Sequence, residues 1–168
     1  CRALLGIAAG HRLLTGFDAA LAALAEAEPL ARADGLAREL AELHYTRGNL
    51  YFSRGEIAAC RAEHHAALAC ARSLSDPMWE ARALSGLADA DYADGRMKSA
   101  LARFDQCVEL CAAHGLTRVA IPNQVLIGFC RAHLMEFDDG IAQLEAARAL
   151  AVQVGDRHGE MMSLESQG

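Results

Sequence analysis

Aromatic residues are scarce, at 5% of the 168 positions, and only three prolines interrupt the chain. The 53% apolar content is carried mainly by Ala and Leu, which favours closely packed helices over sheets built from aromatic and β-branched side chains. No apolar run approaches the roughly 18 residues of a membrane-spanning helix. The N-terminus lacks the charged, apolar and small-residue regions of a secretory signal. A basic excess is missing too: 16 Lys and Arg stand against 22 Asp and Glu, for a formal charge of -6, and no cationic stripe is present to track a phosphate backbone. Membrane and nucleic acid are therefore not expected as direct partners.

The six cysteines (Cys1, Cys60, Cys70, Cys107, Cys111, Cys130) include no CxxC pair, and all except Cys1 fall inside helical patterns. They read as reduced, buried thiols of a cytoplasmic protein rather than a disulfide framework. Cys60 with His64 and His65, and Cys107 with Cys111, have helical ligand spacing, but a zinc site needs about four converging ligands. No metal and no cofactor is expected. Catalytic signatures are missing as well: there is no nucleophile elbow, Walker loop or dinucleotide fingerprint. Asp138-Asp139, Asp89 with Asp91, and Glu26 with Glu28 read as solvated helix faces or N-terminal charges, and no catalytic residue is expected.

What the chain does have is a period of 40 residues. Phe17, Ile57, Met97 and Phe137 are bulky residues in one register, each just after a polar or glycine-rich break. Small residues keep the same step at Ala8, Gly48, Ala88 and Gly128, and at Ala20, Cys60, Ala100 and Gly140. Leu24, His64, Phe104 and Leu144 follow, then Ala27, Ala67, Cys107 and Ala147, and Gly35, Ser75, Gly115 and Gly155 mark the far end of each unit. Small residues one turn from large ones describe knobs in holes between antiparallel helices. Each unit is expected to be a helical hairpin, with first helices near 2–14, 36–53, 77–93 and 118–135 and second helices near 17–33, 56–74, 96–114 and 138–154. Trp79, after the helix opening Asp76-Pro77, is placed to staple one unit to the next.

Within the second unit, Gly48-Asn49-Leu50-Tyr51-Phe52-Ser53-Arg54-Gly55-Glu56-Ile57-Ala58-Ala59-Cys60 resembles the tetratricopeptide signature. The third unit keeps Leu87-Ala88, Gly95, Ala100 and Phe104, while the first and fourth lose the central glycine. The unit is longer than the usual roughly 34 residues. Joints such as Val154-Gly155-Asp156-Arg157-His158-Gly159-Glu160 look like those of long tetratricopeptide arrays in large bacterial signalling proteins. The resemblance implies an all-α fold, a right-handed α-α superhelix of antiparallel hairpins. It forms a single array over 1–168, with repeats near 1–35, 36–75, 76–115 and 116–155 and the start of a fifth at 156–168. Since the chain opens at Cys1 without an initiator Met and runs straight into a helical pattern, it reads as a piece of a longer protein.

In such an array the first helices line the concave side. An i, i+4, i+7 face then selects Tyr45, Asn49 and Phe52, next Ser85, Asp89 and Tyr92, and last Val125, Phe129 and His133 as a partner-binding groove. The amide of Asn49 can both donate to and accept from an extended backbone, with aromatic rings as anchors. The expected function is a non-enzymatic scaffold holding a protein, a peptide or another domain of its parent chain. The alternative is a ligand- or peptide-sensing regulatory module controlling an attached nucleotidyl cyclase or transcription-activator domain.

Overall fold

The structure, a computed structural model, describes residues 1–13 and 16–165. The expected end of the first helix at 14 and the last residues of the fifth unit lie outside these. Among the described residues nine helices occur and no strand: α1 (Arg2–Leu13), α2 (Phe17–Ala33), α3 (Ala37–Ser53), α4 (Ile57–Leu74), α5 (Pro77–Ala93), α6 (Met97–His114), α7 (Thr117–His133), α8 (Phe137–Val154) and α9 (Arg157–Glu165). The fold is all-α, and the boundaries follow the expected ones to within about two residues.

The seven joints from α2–α3 to α8–α9 are built the same way, because these seven successive helices end in the same hydrogen bond. Leu36, Glu56, Asp76, Arg96, Leu116, Glu136 and Asp156 each donate a backbone N–H to the carbonyl five residues back, at 2.8 to 3.1 Å. This bond needs a left-handed residue just before it. That residue is Gly35, Gly55, Gly95, Gly115 or Gly155 at five joints, and Ser75 (φ 51°) or Met135 (φ 67°) at the other two. Joints this short turn the chain straight back, so neighbouring helices run antiparallel.

The register runs unbroken, but the folded chain divides into two compact units, Cys1–Ala90 and Asp91–Gly168, with the division inside α5. In the first unit Leu5 and Ala8 of α1 pack with Ala20, Ala23, Leu24 and Ala27 of α2 and with Leu43 and Leu50 of α3. Trp79 of α5 packs on Ala41 of α3 and Ala71 of α4, which makes it the staple between hairpins. Asp76 opens α5 by accepting the N–H groups of Met78 (3.1 Å) and Trp79 (3.2 Å). The small-residue positions carry the closest approaches. A Cβ on Gly48 would lie 2.7 Å from His64 Nε2, and one on Gly86 only 2.3 Å from His64 Cε1. The His64 ring of α4 is thus clamped between α3 and α5.

In the second unit the backbones of α7 and α8 nearly touch, since a Cβ on Gly140 would stand 3.0 Å from the carbonyl oxygen of Gly128. Phe104, Cys107 and Cys111 of α6 are buried. The 40-residue set of bulky residues is not uniform: Phe17, Ile57 and Met97 are half-buried, whereas Phe137 is 52% exposed. The flank of α8 that carries Phe137 is uncovered.

Candidate binding face of the first helices

On the first unit, α1, α3 and α5 are all first helices of their hairpins. Tyr45 of α3 is not an open anchor as expected: its ring meets those of His64 and Trp79 edge-on, each at 5.7 Å. The Arg82 guanidinium lies over both aromatics, 4.8 Å from Trp79 and 5.9 Å from Tyr45, a cation–π arrangement that also holds the arginine in place. Asn49, one turn on, is half-buried. Phe52 is exposed, Ser85 is half-buried, and Asp89 lies largely inside. Burial raises the Asp89 carboxyl to about 7.

The same three helices line a cleft of about 390 Å³ through Arg2, Leu5 and Gly6 of α1, Arg38, Glu39 and Glu42 of α3, and Trp79 of α5. Most of its charges are already matched. Arg2 donates to Glu39 at 3.0 Å, and that bond holds the Glu39 carboxyl below the usual carboxylate range. Arg38 pairs with Asp76 at 3.8 Å. Glu42 remains as the cleft's unmatched carboxylate among the described residues. Glu42 sits three residues before Tyr45, and Arg82 sits 40 after Glu42. Both lie outside the expected i, i+4, i+7 face that starts at Tyr45, although the helical step and the repeat period point to them.

The last residues of the expected groove fall in the second unit, and two need correcting. Val125 is 1% exposed and packs with Leu144 and Ala147, with Phe129 laid against them. Both therefore close the α7–α8 hairpin instead of facing a partner. Tyr92 is half-buried, with its ring edge-on to His133 at 5.7 Å; burial, and then Cys130, push its hydroxyl pKa up. His133 is exposed, and its Nδ1–H donates to the Phe129 carbonyl at 2.9 Å.

Among the described residues, no group of three or more His, Cys, Asp and Glu side chains converges as a metal cage. The ionic group of the first unit is an internal brace: Arg47 of α3 bridges Glu28 of α2 (2.7 Å) and Glu63 of α4 (2.9 Å), and His44 Nδ1–H donates to Glu63 at 2.8 Å. Burial opposes the charge on Glu28, yet its bonds from Arg47 and Arg32 hold it at about 2. Among the described residues, no helix is long and apolar enough to cross a membrane.

No protein-family model matches the chain, and no curated protein does. Among solved structures it is similar to RapI in its apo form, with a TM-score of 0.79 over 95% of this chain at 15% identity. The match covers 45% of the RapI chain, so this chain spans less than half that protein's length. At such identity the likeness establishes the fold alone, that of a helical-repeat protein.

Proposed function

We propose that this chain is a tetratricopeptide-like interaction module that binds a protein or peptide segment, without catalysis, on the first-helix face of its first unit. The observation that carries this reading is a row of polar groups on α3 and α5. Among the described residues, the side chains of Glu42, Asn49 and Asp89 have no hydrogen-bonding or ionic partner within the chain, and Glu42 borders the cleft. Groups like these gain most from a ligand that satisfies them. Glu42 and Asn49 are two helical turns apart, about 10 Å, a span that an extended segment of three residues covers. The partner fitted by this face carries backbone amides for Asn49 and a cationic side chain for Glu42, and a neighbouring domain of a longer parent protein is one possible source. Six thiols, none in a disulfide, accord with the reducing cytoplasm proposed as its compartment.

A random peptide library displayed on phage and selected on the wild-type protein supplies the probe. Isothermal titration of the selected peptides should show Asn49→Ala and Glu42→Ala each weakening binding about tenfold, or roughly 1–3 kcal/mol. Arg61 is unsuitable as a second-helix control because it donates to the Ala90 carbonyl at 3.2 Å. Exposed Ala62 of α4, changed to Glu, serves instead and should leave affinity unchanged. Peptides that ignore both first-helix changes but lose affinity for Ala62→Glu would place the binding face elsewhere.

A further inference from the structure

The joint between α6 and α7 is open where its counterpart one repeat earlier is filled. At the α4–α5 joint, Arg72 of α4 reaches across to Glu80 of α5 and donates to it at 2.8 Å. Forty residues on, the same two positions are Ala112 of α6 and Ala120 of α7, whose side chains end at Cβ. The remaining joints of the register hold Arg32 with Leu40 and Val152 with Glu160 at these positions, so only here are both residues small. A cavity of about 200 Å³ stands at this place, with Val108 and Ala112 of α6, Thr117, Ala120 and Gln124 of α7 and Leu150 of α8 among its walls. All three helices belong to the second compact unit.

We propose that this cavity binds a small neutral aromatic molecule carrying one hydroxyl or N–H group, with the Gln124 amide as its polar anchor. Size sets the first limit. A cavity of roughly 150 Å³ holds benzene, so about 200 Å³ admits a single substituted ring and excludes a helix or an extended peptide. Charge sets the second: among the described residues no Asp, Glu, Lys, Arg or His lines the cavity, and an ion moved onto such walls would lose its hydration without compensation. Gln124 sets the third. Its counterpart on α5 is Leu84, a buried apolar side chain, whereas α7 places an amide there whose Oε1 is buried with no hydrogen-bond partner. The terminal torsion of glutamine is broad, so a turn of the amide presents that oxygen to the cavity, where a ligand O–H or N–H satisfies it. This site uses other helices than the first-helix face proposed above, so the two readings stand or fall separately.

Phenol and toluene, alike in size and differing by the hydroxyl, are the probes, read through the amide signals of the ¹⁵N-labelled 168-residue protein. Phenol should bind saturably in roughly the millimolar range or tighter, moving the signals of Ala112, Gly115, Thr117 and Ala120 first. Gln124→Leu, which restores the side chain of the earlier repeat, should weaken phenol about tenfold or more and leave toluene at its wild-type affinity or tighter. Ala112→Arg combined with Ala120→Glu rebuilds the pair of the α4–α5 joint, fills the cavity and should abolish binding of both probes. Ala112→Leu fills it from an exposed position and should weaken both, and dispersed amide signals show that each variant is folded. The proposal is overturned if phenol gives no saturable shifts, if the shifts centre elsewhere, if Gln124→Leu weakens phenol and toluene equally, or if the filled variants bind like wild type.

Discussion

His64 shows how a residue with the chemistry of a ligand is used as a filler. Its ring is 1% exposed, it is pressed between Gly48 and Gly86, and its Nδ1 has no partner. Burial lowers its pKa to about 4, so it is neutral at physiological pH. Asp89 is displaced in the opposite direction, to about 7. An acid whose folded pKa is raised above its unfolded value costs no stability below the unfolded value, near 4. The cost grows as pH rises and is complete above the folded pKa. Asp89→Asn should therefore unfold like the wild type at pH 4 and be more stable at pH 8, by on the order of 2 kcal/mol after a discount for partial exposure. Urea denaturation at the two pH values measures the difference; an asparagine variant equally stable to wild type at pH 8 would show that Asp89 is solvated.

Seven helix ends share one left-handed position, and two of them hold side chains that are poorly suited to it. The left-handed conformation costs an L-residue roughly 1–2 kcal/mol, and the greater unfolded-state freedom of glycine offsets roughly half of this. Ser75→Gly and Met135→Gly should each stabilise the protein by about 0.5–1 kcal/mol, and Gly115→Ala should destabilise it by about 1 kcal/mol. Thermal unfolding followed by circular dichroism reads all three; a lower Tm for Met135→Gly would mean that its side chain contributes packing its 73% exposure does not suggest. Side-chain capping is rarer than the turns. Asp76 caps α5 and the Asp156 carboxylate accepts the Gly159 N–H at 3.1 Å, whereas Leu36, Glu56, Arg96, Leu116 and Glu136 start their helices without a side-chain cap bond. These helices rely on their packed faces.

Across the whole molecule, the thiols report which surfaces are closed. Cys60, Cys107, Cys111 and Cys130 are buried, while Cys1 and Cys70 are half-buried. In the native protein a thiol-specific reagent should label Cys1 and Cys70 first, with Cys70 speeding up at alkaline pH because burial raises its pKa. The other four should react only as the helices unfold. Intact mass after timed labelling gives the count, and prompt reaction of all six without denaturant would mean that the hairpin cores are open.

The repeat register settled much of the fold before any tertiary contact was known. Ala8, Ala88, Ala20, Cys60, Ala100, Leu24, His64, Phe104 and Leu144 are all buried as their 40-residue step implied, and the glycine breaks became the left-handed joints. This was legible because burial in a hairpin array follows a local period that each unit repeats. The site was legible only in part. Adjacent residues on a helix point about 100° apart, so a small error in phase turned Val125 and Phe129 from core into groove and passed over Glu42. Which neighbour covers a side chain is decided by helices far away in sequence: Trp79 and His64 close on Tyr45, and Arg47 of α3 finds Glu28 of α2 and Glu63 of α4. Those pairings carry no period, because ionic and aromatic partners are chosen by proximity in space. Only the tertiary structure could determine them, and with them which polar groups of α3 and α5 stay unpaired within the chain.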